Sequence, residues 1–421
     1  MQAPSRAFLA DLFGAAVAAA HPDNCLAPHL PPPPAAGRLV ILAAGKAAGA
    51  MAEVAERHYV ERCGVRPECI CGLAVTRHGY ARPTRLVRLV EAGHPVPDAA
   101  GLAATTATLR LADAAGEADL VLALISGGAS ANWIAPAAGL SFDEKQALTR
   151  ALLKSGASIS EINTVRKHLS RIKGARLCAI AISDVPGDDP AVIGSGPTVP
   201  DPSTLADARA VVARYRVGAA EAVTHALADP ANESPKPGAP IFAGTSFALA
   251  ARPADVFRQA EAVVRRAGYD CVLLGTELEG EARVVAAEHA ALARELAARR
   301  RRAVILSGGE LTVTVRGTGT GGPNQEYALA LAIALAGARG IAALAGDTDG
   351  TDGGSGRPDD PAGAFADDTT LARAHRQGLD PAAFLDDNNS TEFFARLGDL
   401  LRPGPTFTNV NDFRAIVVDS P

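Results

Sequence analysis

The chain of 421 residues carries a formal net charge of −5 and is 48% hydrophobic. That length suits two α/β domains better than one core, and the hydrophobic share is enough to bury both. The charge argues against nucleic acid or an anionic membrane as partner, and six cysteines are too few for a disulfide scaffold. Only Cys69 and Cys71 lie close together, with no second cluster to complete a zinc site.

Residues 8–20 superficially resemble a signal peptide, but Asp11 interrupts the apolar stretch. Leu9, Leu12, Phe13, Ala16 and Val17 share one helical face, so an amphipathic helix of the mature fold is expected. No apolar run is long enough to span a bilayer, which points to a soluble, cytoplasmic chain. A rigid proline run at 31–34 then leads into a recurring pattern of apolar strand, small-residue turn and alanine-rich helix. It occurs at 39–42 before Ala43-Ala44-Gly45-Lys46, at 120–125 before Ser126-Gly127-Gly128-Ala129-Ser130, and at 179–182 before Ser183-Asp184. Strands alternating with helices predict a mostly parallel sheet covered on both faces.

Lys46 stands at the first strand-to-helix turn, where exposed N–H groups and the helix dipole attract anions. The segment is no Walker A loop, because Val40 and Ala47 replace the first glycine and the magnesium-holding hydroxyl. An exposed surface lysine is the plain alternative. Ser126 to Ser130 reads as a backbone nest for phosphate or carboxylate oxygens, or as simple close packing. Arg166, Lys167 and His168 gather three potential cations suited to an anion clamp. Asp184 and Asp188 flank Pro186-Gly187 beyond a strand end, an acidic turn that could face a cleft.

The Pro-rich stretch 228–240 is the expected interdomain linker. After it come a helix at 256–266, a strand at 271–274 and a basic run at 299–302 that complements a helix end. A further strand at 303–306 runs into Ser307-Gly308-Gly309-Glu310, a second candidate nest. Residues 311–315 alternate as a strand with one wet face would, so the second sheet is expected to be mixed. Gly317-Thr318-Gly319-Thr320-Gly321-Gly322 satisfies a dinucleotide fingerprint, although the alternating strand before it and Pro323-Asn324 after it fit poorly. The apolar run 341–345 ends in Gly346 and then presents Asp347, Asp349 and Asp352. Carboxylates crowded at a strand end need a metal, a cation or a proton to compensate them; a solvated Asp-Gly turn is the plain alternative. An EF-hand loop starting at Asp347 fails at Thr351, Asp352 and Pro358.

These residues resemble the type-2 glycerate kinases, the family with the MOFRL domain. The matching segments are 44–48, 92–98, 125–131, 163–169 with Lys173-Gly174, 183–190, 195–198, 306–310, 324–326, 346–353 and 408–412. The resemblance implies a Rossmann-like domain at 1–235 and a mixed-sheet domain at 236–421, with the MOFRL-like core at about 300–415 and the active site in the cleft between them. It also implies ATP-dependent phosphorylation of glycerate at its 2-hydroxyl. On this reading Lys46 meets the transferring phosphoryl group, while Asp349 and Asp352 orient or deprotonate the hydroxyl and hold Mg2+ with the nucleotide. Ser126, Gly127, Gly128, Ser130, Arg166, Lys167 and Asp184 are the candidates for substrate oxygens. Gly45, Ser307, Gly308, Gly309, Glu310 and Asn324 are the candidates for ATP. Asparagine at 349 or 352 is expected to remove activity and leave the melting temperature unchanged or raised. Two positions depart from the family pattern: Pro323 replaces a usual arginine, leaving Lys46 and Arg166 to supply that charge, and Phe407 replaces a usual glycine. Some relatives carry the name hydroxypyruvate reductase, so a nicotinamide-dependent reductase and a non-catalytic small-acid binder remain as alternatives.

Overall fold

The computed structural model describes residues 3–172, 178–218, 220–354 and 357–419; Lys173 and Gly174 lie outside them. By contact the chain forms two compact units, Leu26–Ala250 and Met1–Cys25 with Ala251–Pro421.

The Leu26–Ala250 unit is built on strands β1 (Leu39–Ala44), β2 (Ile70–Arg77), β3 (Arg88–Ala92), β4 (Leu120–Ile125), β5 (Cys178–Ile182) and β6 (Phe247–Ala251). Their order is β3-β2-β1-β4-β5-β6, and β1, β2, β3, β4 and β5 pair in parallel. Every residue of β1 is buried, as a central strand covered on both faces requires. The sheet grows one way from β1 to β2 and the other way from β1 to β4. The gap beyond the carboxyl ends of β1 and β4 is therefore the topological switch point, where open α/β sheets bind ligands.

The second unit holds β7 (Asp270–Gly275), β9 (Arg302–Gly309), β11 (Ile341–Asp347), β12 (Gly363–Asp367), β13 (Leu400–Leu401) and β14 (Asp412–Asp419) in the order β13-β12-β11-β14-β9-β7. Only β7 with β9 is parallel among these pairs; the rest are antiparallel, so the sheet is mixed as expected. Register places Asp347 opposite Asp412 and Asp412 opposite Gly309, which brings three chain segments to one edge.

Three expectations change. The helix Ala3–Ala20 joins the second unit, because its buried Leu9, Leu12, Phe13 and Ala16 pack there; the Phe13 ring meets Phe413 edge-on at 6.3 Å. The unit boundary falls after Ala250 and not within 228–240, since β6 still belongs to the first sheet. The strand expected at 311–315 shortens to β10 (Leu311–Thr312), paired with β8 (Gly280–Glu281), because the Glu281 carboxylate takes the Thr314 N–H and hydroxyl that a longer ladder would use. No helix among the described residues is long and apolar enough to cross a membrane.

Candidate active site

In the Leu26–Ala250 unit the two turns flanking the switch point lock onto each other. The Lys46 N–H donates to the Gly127 carbonyl at 2.8 Å, and the Ala47 N–H to Ser126 Oγ at 2.9 Å. Gly45 has a left-handed φ of +116°, and a Cβ there would lie 2.4 Å from the Ser126 carbonyl oxygen, so no larger residue fits this approach. Ser126 is fully buried and its hydroxyl holds the turn. Gly128, at φ +85°, opens the Ser-Gly-Gly turn; a Cβ on it would meet the His94 ring at 2.9 Å and Lys46 Cγ at 3.3 Å. The half-buried Lys46 side chain thus lies over the Gly128 backbone, at the carboxyl edge of the parallel sheet.

Two further elements reach this edge. Ser130 Oγ bonds Ser195 Oγ at 2.6 Å, and Ser195 in turn bonds Asn163 Oδ1 at 3.3 Å. Arg166 reaches the Ser130 carbonyl at 3.4 Å and Asn163 Oδ1 at 3.5 Å, both long contacts. Half-buried Asp184 follows the end of β5. Lys167 is not brought to this cluster. On the helix Ile159–His168, neighbouring residues point about 100° apart, and Lys167 is buried in an ion pair with Asp201 at 3.3 Å. The clamp expected from Arg166 with Lys167 is therefore divided between two sides of the helix.

In the second unit the acidic turn is locked from within. Asp347 Oδ1 accepts the Asp349 N–H at 2.9 Å, and Asp349 Oδ1 accepts the Thr351 N–H at 2.7 Å and its hydroxyl at 3.0 Å. Asp349 is 1% exposed. Asp352 lies instead under the first turn of the helix Pro323–Leu335. Its Oδ1 accepts the Asn324 N–H at 3.1 Å and Asn324 Nδ2 at 3.2 Å, and its Oδ2 accepts the Gln325 N–H at 2.9 Å and Gln325 Nε2 at 3.0 Å. A carboxylate there satisfies the helix amino terminus and complements its dipole. Burial first, then the neighbouring Asp412, push this carboxyl up to about 7 against the Asn324 N–H, the Gln325 N–H and the Gln325 side-chain amide.

Asn324 Nδ2 also donates to Asp412 Oδ1 at 2.7 Å, and Arg414 closes the hub with a 2.9 Å ion pair to Asp412. Burial raises the Asp412 carboxyl against the opposing pull of Arg414 and Asn324. Arg414 also donates to Ser307 Oγ at 3.2 Å and to the Gly308 and Gly309 carbonyls. Ser307, Gly308 and Gly309 consequently belong to strand β9 and are held by an arginine, not arranged as an open turn of N–H groups. A Cβ at Gly308 would sit 2.4 Å from the Phe257 ring, and one at Gly309 2.2 Å from Leu278, so both glycines serve close packing. Glu310, beyond the strand, is exposed.

A resident Mg2+ held by Asp349 and Asp352 does not fit this arrangement. Both Asp352 oxygens already accept two N–H donors each, and no group of three or more His, Cys, Asp or Glu side chains that could hold a metal occurs among the described residues. The fingerprint at 317–322 has a structural explanation too. Added Cβ atoms at Gly317, Gly319 and Gly321 would strike Asp387, Asn389 and Ser390 at 2.4, 2.3 and 2.2 Å, one face of an extended segment pressed on a neighbouring turn. Gly322 faces Asp352 with the same 2.4 Å clearance. Pro323 occupies the first turn of its helix, a position that suits proline. Phe407 adopts a φ of +57°, which accounts for the glycine expected there.

Sequence reasoning left Asp412 and Arg414 out of the candidate site. An arginine inside the apolar strand 412–419 was the available signal, since such a residue is buried only when paired.

Residues 8–228 match the family described as "Domain of unknown function (DUF4147)", and residues 303–412 match the MOFRL family. A D-glycerate 2-kinase of Thermotoga maritima is 38% identical, covering 89% of each chain, and a glycerate 2-kinase of Pyrococcus horikoshii is 36% identical over 91% of this chain and 88% of its own. A protein of Agrobacterium vitis named putative hydroxypyruvate reductase is 44% identical over 98% and 94%. The crystal structure of a glycerate kinase from Thermotoga maritima superposes with a TM-score of 0.85 at 36% identity, covering 99% of each chain. With both family matches in order and kinases aligned along most of its length, the chain belongs to the glycerate 2-kinase family with a MOFRL domain.

Proposed function

We propose that the protein transfers the γ-phosphoryl group of ATP to the 2-hydroxyl of glycerate, giving 2-phosphoglycerate and ADP. The observation that carries this reading is Lys46, laid over the Gly128 backbone at the switch point of the parallel sheet. The names of the kinase relatives support it. The hydroxyl oxygen attacks the γ-phosphorus, the bond to the β-phosphate oxygen breaks, and ADP leaves with that electron pair. Such a transfer needs positioning and charge stabilisation more than covalent help. Lys46 supplies a cation to the transferring group, and Asp349 takes the hydroxyl proton. Gly127, Gly128, Ser130, Arg166 and Asp184 orient the acid, with Gly45 and Ser126 holding the turn. Glu310 and Asn324 remain the nucleotide candidates in the second unit. Asp352 acts as a positioning group for Asn324 and Gln325. Mg2+ enters as part of the nucleotide substrate.

The reductase reading rests on the names of two relatives. It would need a nicotinamide site, and the glycines at 317–322 are already packed against protein. A coupled assay decides between the two: glycerate-dependent ADP release supports the kinase, and NADH or NADPH oxidation with hydroxypyruvate in its absence overturns it.

A further inference from the structure

The Leu26–Ala250 unit contains a cavity of about 220 Å³ lined by the 95–97 segment, Ser130, Gln146 and three cations, Lys145, Arg150 and Arg166, with no acidic residue among the described residues of its wall. Lys145, on the helix Phe142–Lys154, is 4% exposed. Its ammonium donates to the Leu169 carbonyl at 2.6 Å, and it makes no ion pair among the described residues. Arg166 approaches from the helix Ile159–His168 with two long hydrogen bonds and no carboxylate partner among the described residues. Lys167 shows the contrast: it is also buried but paired with Asp201. Like charges withdrawn from water without a counter-charge are unfavourable, and an anion entering between them removes the deficit.

We infer that Lys145 and Arg166 form the subsite for the carboxylate of the acid substrate, with Lys145 as a specificity-determining residue. The inference rests on the kinase reading. The cavity adjoins the Lys46 turn, because Ser130 follows Gly128 by two residues and Pro95 follows His94, whose ring covers Gly128. A three-carbon acid anchored here by its carboxylate directs its hydroxyl end toward Lys46, while a volume of this size is too small for a nucleotide. Burial, then Arg166, push the Lys145 ammonium down to about 7. Among the described residues, the charged groups that share the cavity with it are Arg166 and, on its own helix, Arg150, both of the same sign. Lysine must be protonated to hold the anion, so glycerate affinity falls as pH rises above about 7.

Steady-state kinetics and thermal shifts on the full chain test this. Lys145→Met raises KM for glycerate about thirtyfold and leaves KM for ATP within about twofold. Its melting temperature without ligand is unchanged or higher, and the stabilisation by glycerate seen in the wild type is lost. Lys145→Arg restores binding and removes the pH dependence of KM above about 7. A wild-type KM for glycerate in Lys145→Met overturns the proposal, as does inorganic phosphate displacing glycerate from the wild type at equal concentration, which would make this a phosphate site. If Lys145→Met does not fold, a Lys145→Arg variant that keeps the wild-type pH dependence overturns it instead. Failure of the wild type to phosphorylate glycerate, with its thermal shift intact, sinks the kinase reading and leaves the subsite standing.

Discussion

Replacing Gly45 with alanine tests how the Lys46 turn is held. A Cβ at this φ of +116° lies 2.4 Å from both the carbonyl oxygen and Oγ of Ser126, and 2.8 Å from the Gly127 carbonyl. Ordinary contact is roughly 3.5 Å, so the turn must retreat by about 1 Å. The left-handed backbone costs alanine roughly 1–2 kcal/mol. Retreat also breaks the Lys46 and Ala47 N–H bonds to the facing turn, roughly 1 kcal/mol each. The sum is about 3–4 kcal/mol, a melting-temperature fall of roughly 6–16 °C for a unit of this size. Moving Lys46 by about 1 Å should lower turnover roughly a hundredfold. Gly64→Ala is the control: its φ is +67° and nothing lies within 4 Å of the added Cβ, so it carries backbone strain alone. Calorimetry and the ADP-coupled assay are run on both variants. Equal melting temperatures and equal turnover in the two would refute the locked turn.

Lys46→Met should lower kcat/KM about a hundredfold or more, roughly 3 kcal/mol of transition-state stabilisation, with an unchanged melting temperature; near-normal turnover would make Lys46 a surface residue. Asp352→Asn turns an NH2 group toward two N–H donors, which costs about 1–3 kcal/mol each. Relief of the raised carboxyl offsets part of that, so a lower melting temperature is expected, opposite to the sequence expectation; an unchanged or higher value contradicts the hub. Asp349→Asn should abolish ADP release while the fold survives, and full activity in this variant would remove Asp349 as the base. His289, bonded to the Tyr327 hydroxyl at 2.7 Å, is pushed by burial and Arg414 down to about 4 from an ordinary 6.5. It stays neutral in the fold while the unfolded chain takes up the proton. Stability is therefore full above about 6.5 and declines as pH falls toward about 4, by about 3 kcal/mol in all. Denaturant titrations of His289→Gln should lack that slope.

Three strands of the first sheet, β1, β4 and β5, were readable because each is a short apolar run followed by small residues, a local signal that needs no knowledge of the partner strand; β3, with Arg88 and Glu91 in a five-residue edge strand, carries no such signal. The helix Ala3–Ala20 was readable as a helix, but its apolar face does not say which unit it covers; Phe13 finds Phe413 from the far end of the chain. Glycines that admit a phosphate and glycines that admit a neighbouring backbone look alike in sequence. For that reason 317–322 imitated a fingerprint and 307–309 imitated a nest. Asp349 and Asp352 were indistinguishable as letters, and only the helix Pro323–Leu335 lying over Asp352 separates them. Lys145 carried no signal at all. One lysine on an amphipathic helix is ordinarily solvated, and its burial follows from the opposing helix Ile159–His168.

The central claim is the transfer of a phosphoryl group to the 2-hydroxyl, and the most direct test identifies the product. Purified protein is incubated with ATP, Mg2+ and glycerate, and the mixture is followed by phosphorus NMR with proton coupling. A new phosphomonoester resonance coupled to the single proton on carbon 2, growing with ADP, is the expected result. A signal coupled to the two protons of carbon 3, or no phosphomonoester alongside nicotinamide-dependent turnover of hydroxypyruvate, would contradict the account.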